Sequence, residues 1–262
     1  METTLIPSLR RAASLGTITG EGDSIDDWVS LGLPRAKFHE LFALDPEDGA
    51  AASGFAVALS IVSNAVPMLW IRTAEAERRG GRLLGAGFTE LGLSPSMIVV
   101  VLVDDEVALL RAAADAARCP GLGTLVIESR GRAARVDLTA TRRLMLAAET
   151  SGVTILSLRL GADPTPSAAA TRWSIAGLPS TPLPANAPGR PGFAVELLRR
   201  RGGPAGARWC LEWNRDAKTF TPIPTAIHAP LPYSAPLSGT RIPLAVDRPA
   251  ADHSRASLRR TG

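Results

Sequence analysis

The residues best placed for chemistry lie between an apolar stretch at 38–42 and an alanine-rich stretch that follows it. In a parallel α/β sheet, the loop leaving the first strand for its helix can hold a phosphate on backbone amides. A working loop of this kind needs glycines for close approach, a lysine for the β and γ phosphates, and a Ser or Thr hydroxyl for magnesium. Here it reads Asp45-Pro46-Glu47-Asp48-Gly49-Ala50-Ala51-Ala52-Ser53-Gly54. No lysine is present, and three carboxylates stand where the phosphates would approach. At ~4 Å and an effective dielectric near ~20, each repulsion is on the order of a few kcal/mol. ATP binding is disfavoured, and no cofactor or metal is expected.

No Ser or Cys has the His and Asp neighbours of a nucleophilic triad, and the three histidines are His39, His228 and His253. His39 sits on a strand pattern and reads as a packing residue. Cys119 and Cys210 are far apart and lack His or Asp at ligand spacing, which excludes a disulfide scaffold and a zinc motif and fits a reducing cytosol. Asp104-Asp105 reads as a helix cap. Arg130, Arg132 and Arg135 form a basic loop, to which Arg142, Arg143 and Arg172 can add. Arginines in such a cluster suit phosphate or carboxylate forks, so the loop is either a nucleic-acid or partner contact or a solvated face. Arg199-Arg200-Arg201 reads as turn solubility. DNA strand exchange is disfavoured, because the segments 129–136 and 161–170 are short and the second has no basic or aromatic residue.

The elements that must position these residues follow from apolar spacing. Phe38–Phe42 reads as a strand, 53–65 as a helix, and Met68–Ile71 as a strand. Ile98–Val103 is β-branched at nearly every position and reads as a strand covered on both faces. Asp104 or Asp105 begins a helix to Arg118, with Val107, Leu110, Ala114 and Ala117 spaced for one buried face. Strands over 125–128 and 153–160 flank a helix that starts at Asp137 or Thr139 and stops at Gly152. This alternation predicts a mainly parallel sheet. Beyond it, 171–176, 193–200 and 208–213 are strand-like with no helix between them and read as an antiparallel edge.

The chain has 262 residues, 45% of them hydrophobic and 21% charged, with net charge +4. That length buries a core without staples. The longest apolar run, Met97 to Val103, is far short of the roughly 20 residues of a membrane span. Arg10 and Arg11 precede no signal-type apolar stretch, so a cytoplasmic protein with no membrane contact is expected. All but two of the 29 basic residues are arginine, which reads chiefly as the mark of a G+C-rich genome. Residues 214–262 hold seven basic and three acidic side chains and seven prolines. The expected organisation is an N-terminal arm over 1–33, a core over 34–213, and a disordered tail over 214–262. The tail's apolar islands, with Phe220, Ile223 and Tyr233, suit a peptide that folds on a partner or a passive tail.

Several stretches resemble the RecA recombinase. Phe38 to Glu47 is similar to its first strand and loop opening, which sets Asp45 at the first glycine, Ala50 at the second, Ala51 at the lysine and Ala52 at the hydroxyl residue. Leu69 to Glu75 resembles the strand leading to the catalytic glutamate, with Glu75 near that place. Gly123 to Ser129 resembles the second nucleotide-binding strand, with Glu128 at the metal-side acid.

Within RecA-like proteins the chain resembles the ImuA family through four stretches. They are Leu33-Pro34-Arg35 with His39-Glu40, Asp137 to Leu144, Ala169 to Trp173, and Val195 to Arg199 with Arg201-Gly202-Gly203. The resemblance implies a RecA-like three-layer α/β core with a degenerate phosphate loop, in which Glu75 and Glu128 are relic acids. It also implies a non-enzymatic role in SOS-induced translesion DNA synthesis and mutagenesis. The implied partners are RecA, an ImuB-type inactive relative of Y-family polymerases, and an error-prone replicative-type polymerase, with DNA contacted through them. A SulA-like division inhibitor and a RecA-type ATPase remain the alternatives.

Overall fold

The computed structural model describes residues 33–223. Among them, the strands are β1 (Phe38–Ala43), β2 (Met68–Thr73), β3 (Ile98–Val103), β4 (Thr124–Arg130), β5 (Thr154–Leu160), β6 (Thr171–Leu178), β7 (Gly192–Arg200), β8 (Arg208–Asn214) and β9 (Thr219–Pro222). The helices are α1 (Gly49–Val62), α2 (Ala74–Gly80), α3 (Gly85–Glu90), α4 (Glu106–Ala116) and α5 (Leu138–Ser151). All nine strands belong to one sheet in the order β3-β2-β4-β5-β1-β6-β7-β8-β9. The strands from β3 to β6 run parallel to their neighbours, and β7, β8 and β9 continue antiparallel. The expected class, a mainly parallel α/β sheet with an antiparallel edge, is the one observed.

Strand alternation sends side chains to two separate cores, giving three layers. On one face Leu41, Trp70, Val126, Leu158, Trp173 and Phe193 pack with Phe55 of α1 and Phe88 of α3. On the other, Phe38, Ile71, Ile127 and Ile155 pack with Leu109 and Ala113 of α4 and with Leu144 and Ala148 of α5. The connection from β5 to β6 has no helix. Residues 161–170 run over the α5 face instead, with Ala169 inside that core and the Ala168 amide donating to Thr141 Oγ1 at 3.1 Å.

The ends of the helices carry their capping chemistry. Asp105 Oδ1 accepts from the Val107 and Ala108 amides, and Asp137 Oδ1 accepts from the Ala140 amide. Gly152 closes α5 at φ 86°, a conformation glycine adopts without penalty.

Four expectations need correction. First, β3 is the sheet's edge and not a strand covered on both faces: Val99 is 60% exposed and Leu102 48%. Its β-branched residues report strand propensity, which edge and central strands share. Second, the buried residues of α4 are Leu109 and Ala113, one position before the inferred Leu110 and Ala114, while Ala117 at its C-terminal cap is buried as inferred. Third, β6 belongs to the parallel block and only pairs antiparallel on its β7 side. Fourth, the sheet continues past 213. Phe220 lies on β9, is 6% exposed, and packs against Phe55, Phe193 and Trp213, while Ile223 is buried too. Both are core residues and not parts of a free docking peptide. The arm over 1–32 and residues 224–262, with Tyr233, lie outside the described residues.

Candidate functional site

The phosphate-loop position is wound into turn and helix. Pro46–Asp48 is a turn of 3-10 helix, and α1 begins at Gly49, earlier than the 53 inferred from apolar spacing. Alanine is the strongest helix former, and Gly49-Ala50-Ala51-Ala52 is drawn into the helix where a phosphate loop would stay open. Two of the amides at this position are used within the turn. Asp48 N donates to Asp45 O at 3.1 Å, and Gly49 N donates to Pro46 O. Asp48 is buried, and its Oδ1 accepts from the Gly177 amide of β6 at 2.9 Å, which ties the turn to the sheet. Ser53 Oγ donates back to Gly49 O at 2.8 Å. Glu47 and Ala50 are exposed, and Ala51 and Ala52 offer methyl groups. Two hollows flank this turn: one of about 430 Å³ is lined by Ala50, Ala51, Gly54, Leu178 and Phe193 and no cation, and one of about 340 Å³ is lined by Gly49, Ala50, Ser53 and Trp70 together with Arg82 and Arg130.

The two relic acids are placed differently. Glu75 sits on the exposed first turn of α2 and pairs with Arg78 and Arg79 of the same helix. Glu128 is buried on β4, where Oε2 accepts from Trp70 Nε1 at 3.0 Å and Oε1 from Arg72 Nη2 at 3.0 Å. Arg72 also donates to Ala76 O at 2.8 Å and Gly81 O at 2.9 Å, so the acid anchors α2 to the sheet through its arginine. Both carboxylate oxygens are spoken for.

The basic residues do not form one surface. Arg130 ends β4 on the α1 face, with Nε 3.6 Å from Glu128 Oε1 and its guanidinium close against Gly80. Arg132 and Arg135 lie on the exposed loop after β4, where the Arg135 amide donates to Glu106 Oε2 at 3.2 Å. Arg142 and Arg143 are exposed on α5. Arg172 is internal: its Nε donates to Glu40 Oε2 at 2.7 Å, and its Nη2 donates to Ser167 Oγ at 2.8 Å and to Thr165 O. It is a counter-ion and not a contact residue.

Sequence reasoning missed the buried polar residues of β1 and β5. Glu40 is fully buried on β1 between Arg172 and Arg159, with Arg159 Nη1 3.7 Å from Glu40 Oε1. His39, its neighbour, faces the opposite core. His39 Nε2 donates to Pro34 O at 3.0 Å, and Nδ1 accepts from Thr171 Oγ1 at 2.7 Å. Burial pushes its pKa down to about 4 against the hydrogen bond to Pro34, and Lys37 lowers it further. The signal available for Arg72, Arg159 and Glu40 was a charge inside an apolar strand run, since a charge there must be paired.

No family model matches the chain, and no curated protein matches it. Among solved structures, a KaiC-like protein from the hyperthermophilic archaeon Pyrococcus horikoshii is similar in fold. It has 12% sequence identity, covers 77% of this chain and 95% of its own, and has a TM-score of 0.46.

Proposed function

We propose that this chain is a non-enzymatic adaptor of SOS-induced, error-prone translesion DNA synthesis, a RecA-related core that links RecA to a mutagenic polymerase assembly. The observation that carries the first half is the degenerate phosphate-loop position. Two of its amides are used in a 3-10 turn, Asp48 is bonded to Gly177, and Ala51 and Ala52 stand where a lysine and a hydroxyl are needed. Such a core keeps shape without nucleotide chemistry, which suits a binding role.

The ImuA resemblance supports the second half through the places of its four stretches. They converge on segment 167–172. His39 bonds Thr171, Glu40 accepts from Ser167 and Arg172, and Thr141 accepts from the Ala168 amide. Arg199 donates to Ser167 O at 3.4 Å and Arg201 to Ala168 O at 3.0 Å. Four distant stretches that share one packing unit form a coherent set of residues. The proposed partners remain RecA, an ImuB-type polymerase relative and an error-prone replicative-type polymerase, with a cytoplasmic location.

The test is ultraviolet-induced mutation frequency in a strain lacking the gene. Induced mutations should fall to background and return on complementation; an unchanged frequency overturns the role. In parallel, Mg-ATP should leave the melting temperature of the purified chain unmoved. Binding at 100-fold over Kd would add about 2.7 kcal/mol and overturn the non-nucleotide reading.

A further inference from the structure

A cavity of about 550 Å³ opens between the loop after β4 and the segment after β5, on the α5 face of the sheet and away from the phosphate-loop turn. Arg132, Ala134 and Asp137 line one wall, Asp163 and Thr165 the other, and Arg159 reaches it from β5. The Arg159 side chain is only 2% exposed. Its Nε and Nη1 have no hydrogen-bond partner among the described residues, and neither has Glu40 Oε1, 3.7 Å from Nη1. Ser129 Oγ and Ser157 Oγ are in the same condition.

These atoms are neighbours. Ser129 is the register partner of Arg159, and Ser157 is the register partner of Glu40. Strand alternation turns all four side chains to the α5 face. Five of the seven buried polar atoms without a hydrogen bond among the described residues therefore collect on this one patch. Native interiors leave few such groups, and a cluster of them beside a cavity marks a candidate ligand site.

The donors at the patch say what kind of species. Arg159 and Arg172 share Glu40, Glu106 also acts on Arg159, and Arg132 on the wall stands with Asp137 and Asp163, so the patch has no net positive charge and what it offers is the free N–H groups of a buried guanidinium. Burial lowers the pKa of Arg159 from its ordinary value while Glu40 and Glu106 hold it up, and a guanidinium keeps its proton in a protein. Phe42 packs against Arg159, its ring centroid 5.9 Å from Cζ. A carboxylate would accept from the free N–H groups in the fork geometry that guanidinium favours. Asp137 and Asp163 on the walls repel a second negative charge, which favours a monoanion. The cavity's size is that of a small-molecule site, and a guanidinium this buried is reached only by a ligand that enters.

We propose that this cavity binds a small monocarboxylate whose oxygens accept from Arg159. The site stands apart from the proposed adaptor role and holds whether or not that role does.

The experiment follows the arginine Nε–H resonances of the full chain by 1H–15N NMR while acetate replaces chloride at constant ionic strength. The Arg159 signal is assigned by through-bond spectra and by its loss in Arg159→Lys. It should shift saturably, with a Kd on the order of 1–10 mM for so small a ligand. Ala134→Trp, at an exposed wall position, fills the entrance without touching the ion pairs and should weaken binding at least about tenfold. It decides the matter if Arg159→Lys does not fold. Inorganic phosphate should bind more weakly than acetate. An Arg159 signal indifferent to acetate, or an Ala134→Trp chain that binds as before, overturns the site. Tighter binding of phosphate overturns the monocarboxylate assignment.

Discussion

The two faces of the sheet each bury an acid against an arginine that is its register partner on the next parallel strand, and the two pairs are finished differently. Glu128 and Arg72 lie side by side on β4 and β2; Glu40 and Arg172 lie side by side on β1 and β6. On the α1 face both oxygens of Glu128 accept hydrogen bonds, and Arg72 also donates to Ala76 and Gly81, with its Nε left without a hydrogen-bond partner among the described residues. On the α5 face only Oε2 of Glu40 is engaged, by Arg172 and Ser167, while Oε1 faces the second arginine, Arg159, across a gap. The same two residue types make a clamp with both carboxylate oxygens engaged in one place, and in the other a patch beside a cavity where one oxygen and a whole guanidinium edge are not. What separates them is how many acceptors the surrounding backbone supplies to the arginine.

The sharpest way to test the clamp is to remove its acid. Glu128→Ala leaves Arg72 a buried cation with no counter-ion, and losses of this kind run to about 3–5 kcal/mol. The expected outcome is a fall in the urea midpoint with an unchanged slope. A loss under about 1 kcal/mol would mean that Arg72 finds water or Glu75 instead, and the contrast between the faces would weaken.

His39 offers a second measure of how completely the α1 face is satisfied. Its folded pKa, about 4, lies below the unfolded value of 6.5. A ring shifted this way stabilises the fold while neutral, so its contribution is complete above about pH 6.5 and fades as the pH falls towards 4. A shift of this size corresponds to about 3 kcal/mol. His39→Gln should flatten the fall in urea midpoint between pH 6.5 and pH 4 relative to the parent chain. Equal slopes in the two proteins would mean that the ring is protonated within the fold.

The legibility of the chain divides along physical lines. The strand–helix alternation, the caps at Asp105 and Asp137, the stop at Gly152 and the degenerate phosphate loop could all be read, because each depends on local chemistry. The place of a strand in the sheet could not. Ile98–Val103 looks like a central strand, yet it forms the edge, since β-branched residues suit any strand. The helical start at Gly49 was masked by the expectation of a loop, although three alanines favour a helix. Phe220 and Ile223 looked like islands in a tail, and only pairing with β8 brings them to the core. For the candidate sites, Asp48, Glu128 and Arg172 were visible as residue types, but their partners sit on strands distant in sequence. Arg159 was overlooked for the same reason: its role depends on what does not reach it.

The smallest expected effect is also the most direct probe of the unfinished patch. Ser157 is buried on β5 beside Glu40, and its hydroxyl has no hydrogen-bond partner among the described residues. A buried hydroxyl without a partner costs free energy relative to a methyl group, whereas one that is well bonded contributes about 1 kcal/mol. Ser157→Ala should therefore be neutral, or stabilise by up to about 1 kcal/mol, in the ligand-free chain. By contrast, Thr171, whose hydroxyl serves both His39 and Trp173 on the other face, has two bonds to lose. If Ser157→Ala instead destabilises by more than about 1 kcal/mol, the hydroxyl already has a bound water as its partner. The patch would then be a hydrated core as complete as the clamp around Glu128, and the distinction between the two faces would disappear.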